Sequence, residues 1–494
     1  MTTRNASARA SGGDGLRSTV VTYDAHWWLF CLAIVVLKFL LLALDSAPKL
    51  YLGDSISYIQ TALSGWIPDD RSYFYGFVIR WVALWTGSLR SLVVVQALLG
   101  GIVAIVVAWI CRAAFLCTNS IAYLCGFLCA IDPLEMTWER YVMTETVSLF
   151  FYALVLHQSF VYLRRQRVST LVLIQFLSVV TTGFRMVFLI PFQVLALVLP
   201  LIAFASARDN QEAPSHRPAW LQFLRRKLFW QHLGASLLAF FLFDQAYQHA
   251  YGALTHRGPA HLHASGYVLL ALCAPILQPS DATDPRLARI IEQGDEFGLR
   301  NFDLRNNQLF IAGYLVRRWR SAEPDRTRAS DIARQTALNA VRRDPASFIG
   351  FGARTYVILL REMKRFARWD LNPDGKLKDA QVKFLAERFR WTGRADVGSE
   401  PPTIVQKYYV AATPWFYLPL LSPLFAGAVL FIARNKADAW LLLVHSTTVL
   451  GTTFLFSTGP FTRYLQPLSL LSLLLLALAL SSAMTNGAIK WRTD

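Results

Sequence analysis

The chain has 494 residues, 54% of them hydrophobic, and a mean hydropathy of +0.36. Apolarity of this degree, gathered into long runs, excludes an ordinary soluble domain and points to a membrane protein. Lysine and arginine (49) outnumber aspartate and glutamate (32), for a net charge of +17; beside the apolar runs, that charge fits basic cytoplasmic loops and a surface facing anionic lipid rather than nucleic acid.

Residues 1–26 are polar and read as a cytoplasmic tail. This lead is too long for a cleaved signal peptide, so the run 27–45 is expected to be an uncleaved anchor. About 20 apolar residues cross a bilayer as a helix. Ten runs qualify or come close: 27–45, 91–113, 117–131, 143–163, 170–183, 187–206, 232–250, 412–433, 438–457 and 463–482, the third and fifth being short. They define a membrane domain over 27–250 and C-terminal spans with a short cytoplasmic tail over 412–494. Between them lies a second unit, 251–411.

Short basic loops stay in the cytoplasm. With ten spans and the N-terminus inside, four basic stretches agree: Arg164 to Arg167, Arg217 to Lys227, Arg434 with Lys436, and Lys490 with Arg492. The same threading sends residues 46–90, 132–142, the Gly183–Arg185 turn, 251–411 and 457–463 to the outer side. The expected fold class is therefore all-α: a polytopic membrane helical bundle of about ten spans, with a mostly helical extracytoplasmic domain. Its expected place is the cytoplasmic (inner) membrane, crossed many times.

Within 251–411, residues 284–292 and 331–341 carry apolar side chains at helical spacing, and 347–361 is apolar enough to lie on a membrane surface. The run 266–275 is too short to span and is expected to be core or re-entrant. The six cysteines show no zinc spacing and read as small core residues. His256, His261 and His263 form a loose group without metal-ligand spacing, so neither metal nor cofactor is indicated. No Walker loop, dinucleotide fingerprint, nucleophile elbow or HExxH motif occurs. No internal repeat is evident, which counts against transporters built from two similar halves.

The chemistry-bearing residues lie where apolar runs end. After the first run comes Gly53-Asp54-Ser-Ile-Ser-Tyr58, and Ile56, Ile59 and Leu63 fall at helical spacing, as in a short amphipathic helix on the bilayer. Asp54 either caps that helix or serves as a general base near the membrane. Asp69 and Asp70 rank second, as turn residues beside Arg71. Glu145 opens a span, where an acid complements the helix dipole or has a function at membrane depth. Glu139 and Arg140 either pair or face solvent. Arg185 and Arg463 each border an apolar run; each is a snorkelling side chain or a phosphate ligand. Because Asp54, Arg185 and Arg463 share the outer face, the pattern favours a site for a lipid phosphate.

Five segments carry a resemblance: Gly53-Asp54 with Tyr58 and Ala62; Tyr73 to Arg80 leading to 92–100; Met143-Thr-Glu145; Gly183-Phe-Arg185 before Pro191; and Arg463-Tyr464-Leu-Gln-Pro467. Their order resembles the GT-C superfamily of polyprenyl-phosphate-sugar-dependent glycosyltransferases, in its bacterial branch related to protein O-mannosyltransferases and the lipid A aminoarabinose transferase. It covers roughly the first 200 and last 40 residues and says little about 251–411. The resemblance implies an inverting transfer, of a hexosyl or pentosyl group, from a polyprenyl-phosphate sugar to an envelope glycan, lipid or protein on the outer face. Asp54 matches the first-loop acid, with Glu145 or Glu139 as the second carboxylate. Arg185 and Arg463 match residues near the lipid phosphate. Tyr58, Tyr464 and Arg140 are expected contacts to donor or acceptor. The alternative is a transporter or flippase of a lipid-linked saccharide; a third reading is a non-catalytic assembly protein.

Overall fold

The computed structural model describes residues 25–51, 53–206, 226–371, 376–396 and 401–490. The expected N-terminal tail, Arg217, Arg225 and Arg492 lie outside the described residues.

The chain opens with α1 (Ala25–Leu44), the short α2 (Asp54–Ser64) and α3 (Phe74–Ile79). It continues through α4 (Leu89–Ala113), α5 (Asn119–Ala130), the brief α6 (Pro133–Trp138), α7 (Glu145–Arg165), α8 (Val168–Phe184), α9 (Leu189–Ser206) and α10 (Lys227–Thr255). The middle of the chain forms α11 (Ser265–Leu272), α12 (Pro285–Glu292), α13 (Arg305–Phe310), α14 (Leu315–Ala322) and α15 (Arg326–Arg343). Then come α16 (Pro345–Leu371), α17 (Asp379–Phe389), α18 (Ile404–Ala411), α19 (Tyr417–Leu420), α20 (Ser422–Ile432), α21 (Lys436–Leu455) and α22 (Gln466–Lys490). No strand occurs among the described residues, only two isolated bridges.

All ten apolar runs lie in helices, but six helices have both the length and the apolarity to cross a membrane, or seven if the pair 413–420 and 422–432, bent by 60°, is one span. The expected count of ten is not reached among the described residues. The reasons are local. α8 has only 17 residues. α10 and α21 are long enough but bury polar groups: His232, Ser236 and Asp244 on one, Asp438, His445 and Thr452 on the other. Their partners sit inside the bundle, where the His232 and His445 rings meet the Tyr162 and Tyr152 hydroxyls.

Caps set the breaks. Asp132 accepts from the backbone of Leu134 and Glu135, and Pro133 at the first turn completes the start of α6. Gln166 stops α7 in the left-handed region at φ 45°, and the two-residue link to α8 makes the pair antiparallel. Alternation of this kind brings the end of α1, the start of α7, the end of α8 and the start of α22 to one end of the bundle. At the opposite end Arg164, closing α7, pairs with Asp438, opening α21, at 2.5 Å.

Two large cores result. One runs through the bundle and takes in Leu359, Met363, Leu385 and Tyr409, so 345–411 shares it. The other belongs to residues 264–341, with Leu270, Leu287, Leu315 and Trp319 at its centre. The 266–275 run falls in this second core.

Candidate active site

α2 begins at Asp54 because Gly53 turns the chain with φ 76°, a conformation that glycine adopts without strain. Gly53, not Asp54, is the N-cap residue of α2. The Asp54 carboxylate receives two guanidinium groups: Arg71 Nη2 on one oxygen and Arg463 Nη1, at 3.3 Å, on the other. Arg71 also donates to Ser57 Oγ at 2.8 Å, from the same face of α2, and pairs with Asp70 at 3.5 Å. Burial opposes the Arg71 charge, but Asp54 and Asp70 outweigh it and hold the pKa above its ordinary value. Tyr58 lies under Arg71, 5.8 Å from the guanidinium to the ring centre; burial pushes its hydroxyl up, with Arg71 opposing.

Arg463 stands on a single 3-10 turn, Thr462–Leu465, directly before α22. Its guanidinium lies 4.4 Å from the Tyr51 ring and 5.2 Å from that of Tyr464. Arg185, at the C-terminal end of α8, approaches the same Tyr464 ring at 5.2 Å, within cation–π range. Behind it Glu145, the first residue of α7, is 3.8 Å from Arg185 Nη2. A chain of contacts thus runs Asp54, Arg463, Tyr464, Arg185, Glu145. Several of its polar atoms are buried without a hydrogen-bond partner: both terminal nitrogens of Arg185, Nε of Arg463 and Oε2 of Glu145. Buried donors left in this state carry a cost that a polar ligand would remove.

Of the sequence-predicted residues, the structure brings Asp54, Tyr58, Glu145, Arg185, Arg463 and Tyr464 together. Glu139 and Arg140 are not part of this chain of contacts. They pair with each other at 2.5 Å, and Glu139 also binds the fully buried Lys38 of α1. Both are buried rather than facing solvent, because the capped α6 folds residues 132–142 into the bundle. Asp69 turns to Arg257 at 2.8 Å and Arg326 at 3.7 Å. His261 pairs with Asp244, and His263 with the Thr255 hydroxyl, each at 2.7 Å; no three ligand-type side chains gather around a metal position among the described residues.

Two site residues escaped the sequence reading. Arg71 looked explained by the neighbouring Asp70. Asp370 ends α16, far from any motif, yet its Oδ2 accepts from the Thr462 and Arg463 backbone at 2.6 and 3.1 Å. Burial pushes its carboxyl up to about 6, with Arg463 opposing.

A cavity of about 410 Å³ opens onto this cluster. Arg463, Tyr464, Asp69, Asp70, Arg317, Arg320 and Arg326 are among the residues that line it. A second cleft, of about 640 Å³, lies between α2 and α17 and is walled by Ile56, Ile59, Leu63, Phe384 and Leu385. It uses the apolar face of the helix that presents Asp54.

No family model and no curated protein matches the chain. Among solved structures, that of ArnT from Cupriavidus metallidurans bound to undecaprenyl phosphate matches with 13% identity and a TM-score of 0.30, covering 92% of this chain and 78% of that one.

Proposed function

We propose that the chain is a membrane glycosyltransferase that moves one sugar from a polyprenyl-phosphate donor to an acceptor on the extracytoplasmic face, with inversion. The observation that carries this reading is the pair of buried guanidinium groups, Arg185 and Arg463, with unpartnered N–H donors beside a carboxylate at one end of an apolar bundle. Guanidinium groups keep their charge and bind phosphate with two parallel hydrogen bonds.

The donor phosphate would sit against Arg185 and Arg463, with Glu145 steadying Arg185. The isoprenoid chain would take the cleft between α2 and α17. The acceptor would enter through the cavity, whose Arg317, Arg320 and Arg326 complement anionic groups on it. The acceptor oxygen attacks the anomeric carbon opposite the phosphate, and Asp54 takes its proton. The bond from the anomeric carbon to the phosphate oxygen breaks, and the two arginines stabilise the charge that gathers on the leaving phosphate. The products are the sugar-bearing acceptor and polyprenyl phosphate.

The test is transfer of a labelled sugar by purified protein in lipid nanodiscs. Asp54→Asn should lower kcat by about 10²–10⁴-fold, the usual worth of a general base, with protein yield and donor binding retained. Unchanged transfer would remove Asp54 from the mechanism. Mass spectrometry of envelope glycans from cells lacking the protein should show the loss of a single-sugar increment; accumulation of an intact lipid-linked saccharide would indicate a flippase instead.

A further inference from the structure

We propose that Asp370 is the positioning residue for the phosphate-binding arginine, clamping from the side the turn on which Arg463 stands. The inference rests on the reading that Arg463 holds the donor phosphate.

Asp370 is fully buried at the C-terminal end of α16. One oxygen, Oδ2, collects three donors from a two-residue stretch: Thr462 N, Thr462 Oγ1 and Arg463 N, at 2.6, 2.5 and 3.1 Å. The Thr462 hydroxyl also meets the Tyr409 hydroxyl of α18 at 2.8 Å. The next residue, Leu371, accepts from the Tyr141 hydroxyl at 2.8 Å, and Gln406 of α18 donates to that same hydroxyl at 2.9 Å. Asp370 therefore sits where the long helix α16, the segment before α7 and the turn before α22 meet. A four-residue 3-10 turn has few hydrogen bonds of its own, so its conformation depends on this external carboxylate. Asp370 holds main-chain N–H groups and leaves the guanidinium to Asp54 and, on this reading, to phosphate.

The groups facing Asp370 are the Arg463 guanidinium and the buried hydroxyls of Tyr51 and Tyr409. Among them only Arg463 carries a charge at neutral pH. Burial raises the Asp370 carboxyl to about 6, so it is ionised at pH 7.5 and protonated at pH 5. A protonated acid is a weaker acceptor for the turn, and Asp370→Asn mimics that state at every pH.

The experiment is binding of a short-chain polyprenyl phosphate to the full chain in nanodiscs from pH 5 to 8. Wild type, Asp370→Asn and Arg463→Ala are compared. The ligand's own phosphate titrates too, but identically for each protein, so the ratio of affinities cancels it. The wild-type to Asp370→Asn ratio should be about tenfold at pH 7.5, the equivalent of one charge-assisted hydrogen bond, and should approach one at pH 5. The thermal midpoint of Asp370→Asn should equal or exceed that of wild type, because a buried charge has been removed; a merely structural aspartate would show the reverse. If Arg463→Ala binds as wild type does, the phosphate-site reading fails and takes this proposal with it. If Arg463→Ala weakens binding but the ratio stays at one throughout, the positioning role alone is overturned. Should Asp370→Asn fail to fold, Thr462→Val removes a single donor from the clamp: weaker binding supports the proposal and unchanged binding overturns it.

Discussion

A carboxylate shared by two arginines is held from both sides, and Asp54 shows what each side does. Arg71 reaches it from the loop after α2 and ties it to Ser57 of the same helix; Arg463 reaches it from the far end of the chain. Arg71 therefore fixes the carboxylate, whereas Arg463 links it to the unpartnered donors. On the proposed mechanism the two should separate kinetically. Arg71→Ala should lower kcat with little change in donor KM, because the base loses its orientation. Arg463→Ala should raise donor KM about tenfold, the scale of one lost charge-assisted contact. Steady-state kinetics with varied donor checks both; equal effects of the two variants on KM would contradict the division. Asp54, Glu145, Arg185 and Arg463 were legible in the sequence because each is an isolated charge where an apolar run ends. Arg71 and Asp370 were not: one had a nearby acid that seemed to account for it, and the other reaches the site only through a contact 92 residues away in sequence. Glu139 and Arg140 pair, one of the two readings open in the sequence; their burial was not legible, because a capped short helix folds their loop into the bundle.

At the scale of the element, helical spacing was readable in α2, in 284–292 and in 331–341, and the ten apolar runs fall in helices; α6, α13, α14, α17 and α18 were not read. The depth of the runs was not readable, because hydropathy cannot show which polar side chains face a partner. In α21 the Asp438 carboxylate meets Arg164 and the His445 ring meets Tyr152, so a helix of modest hydropathy is buried by pairing. The same blindness hides where two helices touch. Gly266, near the start of α11, lies so close to α15 that an added Cβ would come within 1.8 Å of the Ser330 carbonyl oxygen. Backbone cannot turn aside as a side chain can, so Gly266→Ala must push α11 and α15 apart. Overpacking of this kind costs roughly 1–3 kcal/mol. The loss should be confined to the second core: hydrogen exchange in α11 and α15 should rise while α4 and α7 keep their protection. Uniform loosening would mean that 264–341 has no core of its own.

At the scale of the whole molecule, two of the charge centres among the described residues differ in physical character. One joins Lys38, Glu139 and Arg140 between α1 and the loop after α6, and all three side chains are within 2% of complete burial. Lys38 Nζ also donates to the Ala130 carbonyl at the end of α5, at 2.8 Å. The other joins Asp54, Arg71 and Arg463 and keeps 10–20% exposure. Charges sealed from water are tolerated only when paired, and removing one partner leaves the other desolvated, at a cost of about 3–5 kcal/mol. Charges at a cavity mouth are partly solvated and cost less to unpair. The first centre should therefore govern folding and the second turnover. Lys38→Met should sharply reduce the folded fraction in detergent and lower the unfolding midpoint, while protein that does fold keeps a near-normal donor KM. Asp54→Asn should do the opposite, with full yield and lost transfer. A double variant, Lys38→Met with Glu139→Gln, should recover little of the yield, since removal of Glu139 also leaves the buried Arg140 guanidinium without its carboxylate. If instead the folded Lys38→Met protein lost transfer as Asp54→Asn does, the two centres would be one coupled network, and the division of labour between bundle interior and bundle end would not hold.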